Sequence, residues 1–143
     1  MAKIICNEKN CSGCLACVVA CIDQHYAETE ADALSCRIHE KVTTETGLVR
    51  YTTRACHHCA DAPCVKVCPA EALYVNDMGL VIPVREKCIG CRACVSACTF
   101  DIPRFDGEGK LVKCDGCATC QAHGMLPACV RTCNTGALKL SDN

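Results

Sequence analysis

Apolar positions along the chain come in short runs separated by cysteines, and each run predicts one small element. Residues 3–5 read as a short strand that ends at Cys6. Leu15, Ala16, Val18, Val19 and Ile22 form a mostly apolar helical stretch that fades into His25, Tyr26 and Ala27, with Cys17 and Cys21 one turn apart on it. Glu28, Glu30 and Asp32 follow as an acidic patch, read as a solvated loop, with docking of a basic partner as the rival reading. β-branched residues crowd positions 36–44 and 48–54, and Glu45-Thr46-Gly47 between them predicts a hairpin. A second hairpin is predicted where residues 72–75 and 80–83 flank Asn76-Asp77-Met78-Gly79. No apolar run approaches the roughly 20 residues that a membrane-crossing helix needs, so no direct membrane insertion is expected.

Composition changes this picture, because such short elements lack the side chains to fill a core. The 143 residues include 19 Cys but no Trp, three Tyr and two Phe. At this length a chain divided into small units needs other support, and metal binding would then supply folding energy. A secreted disulfide scaffold is the usual reading of so many cysteines in a short chain. Against it, the opening Met-Ala-Lys-Ile-Ile-Cys has no basic segment followed by a long apolar run, and an odd count rich in C-x2-C pairs suits metal ligation. The expectation is a cytoplasmic protein in a reducing compartment.

The cysteine spacing supplies the chemistry. Cys88, Cys91, Cys94 and Cys98 follow C-x2-C-x2-C-x3-C, and Cys11, Cys14, Cys17 and Cys21 repeat it. This is the bacterial ferredoxin spacing for a 4Fe-4S cluster, in which three thiolates serve one cube and the fourth serves its neighbour. Two further loops vary it: Cys56, Cys59, Cys64 and Cys68 with a lengthened middle gap, and Cys114, Cys117, Cys129 and Cys133 with eleven residues in that place. Cys64-Val-Lys-Val-Cys-Pro-Ala-Glu-Ala-Leu73 aligns with Cys129-Val-Arg-Thr-Cys-Asn-Thr-Gly-Ala-Leu138, so two loop types alternate A, B, A, B. Sixteen thiols suffice for four cubes. With thiols counted as neutral the formal charge is −1; four oxidised cubes would bring it to about −9, which disfavours nucleic acid as a partner.

Zinc is the structural competitor, in a non-catalytic zinc-binding adaptor, since four-thiolate sites are often built from C-x2-C pairs. A three-thiol run followed by C-x3-C has no reason to recur in a zinc protein, which favours iron-sulfur. Cys6 and Cys36 are left over and read as small buried hydrophobes. Cys120 continues Cys114 and Cys117 at ferredoxin spacing, but position 124 is Gly where a fourth thiol should stand. Cys129 and Cys133 are therefore favoured over it. His57 and His58 are alternative iron ligands, or donors that would raise a cluster's potential, and Lys66, Arg92 and Arg131 stand inside the loops where they could offset cluster charge.

Together the alternating loops, the lengthened and split members, and the markers His58-Cys59, Ala62-Pro63-Cys64, Cys68-Pro69, Lys113-Cys114-Asp115 and Pro127-Ala128-Cys129 resemble one family. It is the four-cluster iron-sulfur subunits of molybdenum- or tungsten-pterin oxidoreductases, of the dimethyl sulfoxide reductase and formate dehydrogenase type, with relatives that serve formate-linked hydrogenases. The resemblance covers nearly the whole chain, positions 4 to 140. It departs where Ile22, Thr99 and Asn134 replace the proline that follows the fourth cysteine at Pro69, and at Cys120, where relatives often carry Arg.

The resemblance implies an α+β fold of two nested ferredoxin-like dicluster halves: an outer half from residues 1–50 and 107–143, and an inner half from 51–106. It implies four 4Fe-4S clusters with shared ligands. One would take Cys11, Cys14, Cys17 and Cys133, and its partner Cys114, Cys117, Cys129 and Cys21. In the inner half one would take Cys56, Cys59, Cys64 and Cys98, and the other Cys88, Cys91, Cys94 and Cys68. Spacing alone also allows serial pairing, loop one with two and three with four. The implied role is non-catalytic: relaying single electrons between a molybdenum- or tungsten-pterin subunit, such as an aldehyde or formate oxidoreductase, and a flavin, ferredoxin or hydrogenase partner. A homo-oligomeric conducting filament is the alternative.

Overall fold

The computed structural model describes residues 3–25 and 34–141. The acidic patch at Glu28, Glu30 and Asp32, and the end of the first helical stretch at Tyr26 and Ala27, lie outside the described residues. Strand β1 (Lys3–Cys6) leads through the first cysteine loop into α1 (Ala16–His25). The expected hairpin follows as β2 (Ile38–Thr43) and β3 (Val49–Arg54), in antiparallel register from Ile38↔Arg54 to Thr43↔Val49. After the second loop come α2 (Pro63–Val67) and the hairpin of β4 (Leu73–Val75) and β5 (Val81–Pro83). The third loop leads into α3 (Ala93–Ala97), then β6 (Arg104–Phe105) and β7 (Leu111–Val112), a two-residue-per-strand hairpin closed by Asp106. The fourth loop carries α4 (Ala118–Ala122) in its insertion, then α5 (Ala128–Thr132) and β8 (Leu138–Ser141).

Pairing is strongly non-local at the ends. β8 returns to β1 in antiparallel register, Lys3↔Ser141 through Cys6↔Leu138. α1 packs on α5, and α2 packs on α3. The hairpins β2–β3 and β6–β7 run across positions 50/51 and 106/107. Among the described residues the sheets are all two-stranded, too small to carry a core of their own.

Buried side chains gather in three small clusters made of Ala, Leu, Val, Ile and cysteine. One holds Cys21, Cys36, Cys56 and Cys114 with Ile102 and Val112; another holds Cys88 and Cys94 with Leu73, Val81 and Leu111. The third is Cys117, Cys120 and Ala128. Sulfur thus occupies the volume that large aromatic rings fill elsewhere. No helix among the described residues is long and apolar enough to cross a membrane.

Candidate metal centres

The cysteine loops share one backbone device. The residue two places after the first cysteine has positive φ in all four: Gly13 (73°), His58 (48°), Gly90 (74°) and Gly116 (71°). Three loops repeat it two places before the third cysteine, at Leu15, Ala62 and Arg92; in the split loop Cys117 itself takes that conformation and caps α4. Alternation of right- and left-handed residues turns successive N–H groups inward, the concavity that binds anions and iron-sulfur clusters. The N–H of His58 reaches Cys56 Sγ at 3.3 Å and that of Gly116 reaches Cys114 Sγ at 3.2 Å. A third backbone donor, Ala72 N–H, reaches Cys68 Sγ at 3.3 Å.

The thiols converge in groups. Cys11, Cys14, Cys17 and Cys133 line one cavity of about 150 Å³, walled on the other side by Tyr51 and Thr53 of β3. Cys56, Cys59, Cys64 and Cys98 line a second cavity, and Cys68, Cys88, Cys91 and Cys94 a third. Cys21, Cys114, Cys117 and Cys129 are all buried, and Cys129 lies within electrostatic reach of Cys117 and Cys21.

Donor chemistry tests whether a cationic cluster fits. Burial pushes the thiols of Cys94 and Cys129 up to about 11 and that of Cys114 up to about 12. Thiolates in these pockets need a positive partner, and iron bound to sulfur deprotonates a thiol outright. Inward N–H groups, converging sulfurs and desolvated thiols all fit 4Fe-4S clusters, and the nineteen cysteines are enough for four.

Spare cysteines sort by contact. Cys36 is buried against Cys21, and their hydrogen bond raises the Cys36 thiol and lowers that of Cys21, so Cys21 is the readier thiolate. Cys120 is 3 % exposed, beside Cys117 and within 3.9 Å of the Arg131 guanidinium. Cys6 differs from the expected buried hydrophobe: it is half-buried and lines the first cavity.

Two buried cations were not legible as such from the sequence. Arg37, 2 % exposed, donates through Nε to Thr53 Oγ1 at 3.1 Å, through Nη2 to Thr53 O at 3.1 Å and through Nη1 to Cys129 Sγ at 3.7 Å. Thr53 Oγ1 also lies 3.9 Å from Cys17 Sγ, so this contact joins the first cysteine group to the Cys129 group. Lys113, 4 % exposed, directs Nζ to Cys56 Sγ at 3.3 Å, Val81 O at 2.7 Å and Cys114 O at 2.5 Å. Of the cations named from sequence, Arg92 lies over the Phe105 ring at 4.6 Å and Arg131 donates to Leu126 O.

The two histidines part company. His57 stacks on Phe100 with ring centroids 3.9 Å apart. His58 is 1 % exposed, and its Nδ1 accepts the Val81 N–H at 2.9 Å while Nε2 lies 4.0 Å from Cys114 Sγ. Burial lowers its pKa to about 3, so the ring is neutral and Nε2 carries the proton. His25 on α1 links Cys21 O (2.9 Å) to the Asp115 carboxylate (3.1 Å), and the hydrogen bond to Asp115 is the main cause that raises its pKa strongly.

Comparison with known proteins points the same way. A family model described as a 4Fe-4S dicluster domain matches residues 48–143. Among similar proteins, one subunit of the anaerobic dimethyl sulfoxide reductase of Haemophilus influenzae is 37 % identical over 144 residues, covering 92 % of this chain and 69 % of the relative. The formate dehydrogenase iron-sulfur subunit of Wolinella succinogenes is 34 % identical over 167 residues, covering 99 % and 81 %. The thiosulfate reductase electron transfer subunit PhsB of Salmonella typhi is 37 % identical over 140 residues, covering 93 % and 71 %.

Proposed function

Since this protein belongs to the 4Fe-4S dicluster family, as its likeness to iron-sulfur subunits of reductases and a dehydrogenase also requires, we propose how its cysteines are divided and which partners they serve. It is a non-catalytic electron-transfer subunit of an oxidoreductase complex and uses 4Fe-4S clusters as its cofactor. When bound, each cluster supplies a one-electron couple.

The ligand sets are Cys11, Cys14, Cys17 with Cys133; Cys114, Cys117, Cys129 with Cys21; Cys56, Cys59, Cys64 with Cys98; and Cys88, Cys91, Cys94 with Cys68. The observation that carries this division is that three sets each line a cavity of their own. The nested halves rest on the pairing of β1 with β8, α1 with α5 and α2 with α3, all of which favour nesting over serial pairing. The chain's part in the relay is to hold the sites in a row. Thr53 and Arg37 join the Cys17 and Cys129 sites, Cys56 and Cys114 face each other across His58 and Lys113, and Cys64 is close enough to Cys94 to perturb it.

The row ends at the surface. Cys14 and Cys91 are exposed, beside the exposed apolar side chains of Leu15 and Ile89 respectively. These ends are the electron entry and exit: one faces a molybdenum- or tungsten-pterin catalytic subunit, the other a flavin, ferredoxin or hydrogenase partner. A protein with this many unpaired thiols suits the reducing cytoplasm.

Metal analysis of anaerobically purified protein tests the reading: about sixteen irons per chain are expected, against about four zinc ions for a structural adaptor. Ligand sharing is tested by Cys98→Ser, which should damage the cluster held by Cys56, Cys59 and Cys64. Damage confined to the Cys88 site refutes the division.

A further inference from the structure

Within each half, the proposed division passes a cysteine across on a C-x3-C helix, so neighbouring sites are joined by ligands. Between the halves no cysteine is shared. Two side chains cross the junction there. His58 stands in sequence between Cys56 and Cys59, yet its Nε2 lies 4.0 Å from Cys114 Sγ. Lys113 immediately precedes Cys114, yet its ammonium reaches Cys56 Sγ at 3.3 Å. One residue of β5 holds both: Val81 donates its N–H to His58 Nδ1 and accepts Lys113 Nζ at its carbonyl. Gly116 makes room, since a Cβ there would lie 3.2 Å from His58 Nε2 and 2.8 Å from Leu80 Cδ2. Both cross-junction side chains are buried, where a donor acts on sulfur without screening by water.

Resting on the ligand division above, we propose that His58 and Lys113 are a reciprocal pair of positioning residues, each setting the reduction potential of the cluster in the other half. An added electron places negative charge on cluster sulfurs, and an N–H or ammonium donor stabilises that charge, so each donor raises the potential of the site it faces. Donation from both sides raises both potentials across the one junction that lacks a shared ligand. A single electron crosses between the sites and no proton moves: Nε2 and Nζ keep theirs.

The test is an EPR-monitored potentiometric titration of the anaerobically purified, cluster-loaded full chain, with the Cys56-site signal identified by its loss in Cys59→Ser and the Cys114-site signal by its loss in Cys117→Ser. Lys113→Met removes the charge at similar length. It should shift the Cys56-site midpoint downward, and by more than it shifts the Cys114-site midpoint. His58→Asn tolerates the positive φ but withdraws the donor. It should shift the Cys114-site midpoint downward and leave the Cys56-site midpoint in place. Equal shifts at both sites, a larger shift on the donor's own side, or no shift overturn the proposal. If Lys113→Met loses its clusters, His58→Asn decides alone. Should Cys98→Ser leave the Cys56-site signal intact, the ligand division fails instead, a result separable from any of these.

Discussion

Gly116 is where backbone conformation and close packing meet, and replacing it with alanine separates the two. Its φ of 71° alone costs an L-residue about 1–2 kcal/mol. The new Cβ would also sit 2.8 Å from Leu80 Cδ2, and Leu80 is 1 % exposed with nowhere to retreat. Overpacking of that kind costs about 1–3 kcal/mol. Gly116→Ala should therefore destabilise by about 2–5 kcal/mol. Gly47 is the control, because it has φ of 83° in the β2–β3 turn and a Cβ added there would meet nothing within 4 Å. Gly47→Ala should cost only the conformational part. At about 3–5 °C per kcal/mol for a chain of this size, the two variants should differ in apparent melting midpoint by about 3–15 °C. Anaerobic calorimetry of loaded protein at one scan rate measures this. Equal lowering by both substitutions would refute the claim that Leu80 and His58 are packed rigidly onto the fourth loop.

Three other outcomes follow from the same geometry. Arg37→Met leaves the Cys129 site without its buried cation and should destabilise the loaded protein by about 3–5 kcal/mol, read as a lowered guanidinium midpoint. Removing the iron with a chelator should abolish the far-ultraviolet circular dichroism of the small elements, because their sheets are two-stranded; retained structure in the apoprotein would show that the polypeptide alone suffices. Ile89→Asp, at a side chain 67 % exposed beside Cys88, should slow electron exchange with the partner at that end about tenfold in stopped-flow, with iron content unchanged.

Much of the fold was readable because its signals are local. The hairpins at 38–54 and 73–83 announce themselves by β-branched runs around turn residues, and the loops by cysteine spacing. Pairs of residues as short as β6 and β7 have no periodicity to detect; only Asp106-Gly107-Glu108-Gly109 between them marked a turn. The return of β8 to β1 joins opposite ends of the chain, and no local signal encodes it. Arg37 and Lys113 escaped for a different reason. Lysine and arginine are mostly exposed, so sequence alone places them at the surface, whereas a thiolate-rich interior reverses that expectation. Lys66, Arg92 and Arg131, chosen for their place inside loops, make no contact as buried as these two.

His58 joins local strain to the link between sites, because it occupies a position that glycine fills in the other three loops. A non-glycine residue at φ of 48° carries about 1–2 kcal/mol of strain, which persists only if its surroundings hold it. They do: the ring is 1 % exposed, and Val81 N–H would be left without its partner at a cost of about 1–3 kcal/mol if the imidazole were removed. Glycine would relieve the strain but lose that bond, leave a ring-sized void and withdraw the donor facing Cys114. The holding energy thus exceeds the strain, and the second nitrogen is free to serve the neighbouring site. A loop that needed only to wrap its own cluster would have no use for a strained histidine there; one that must also reach the next site does.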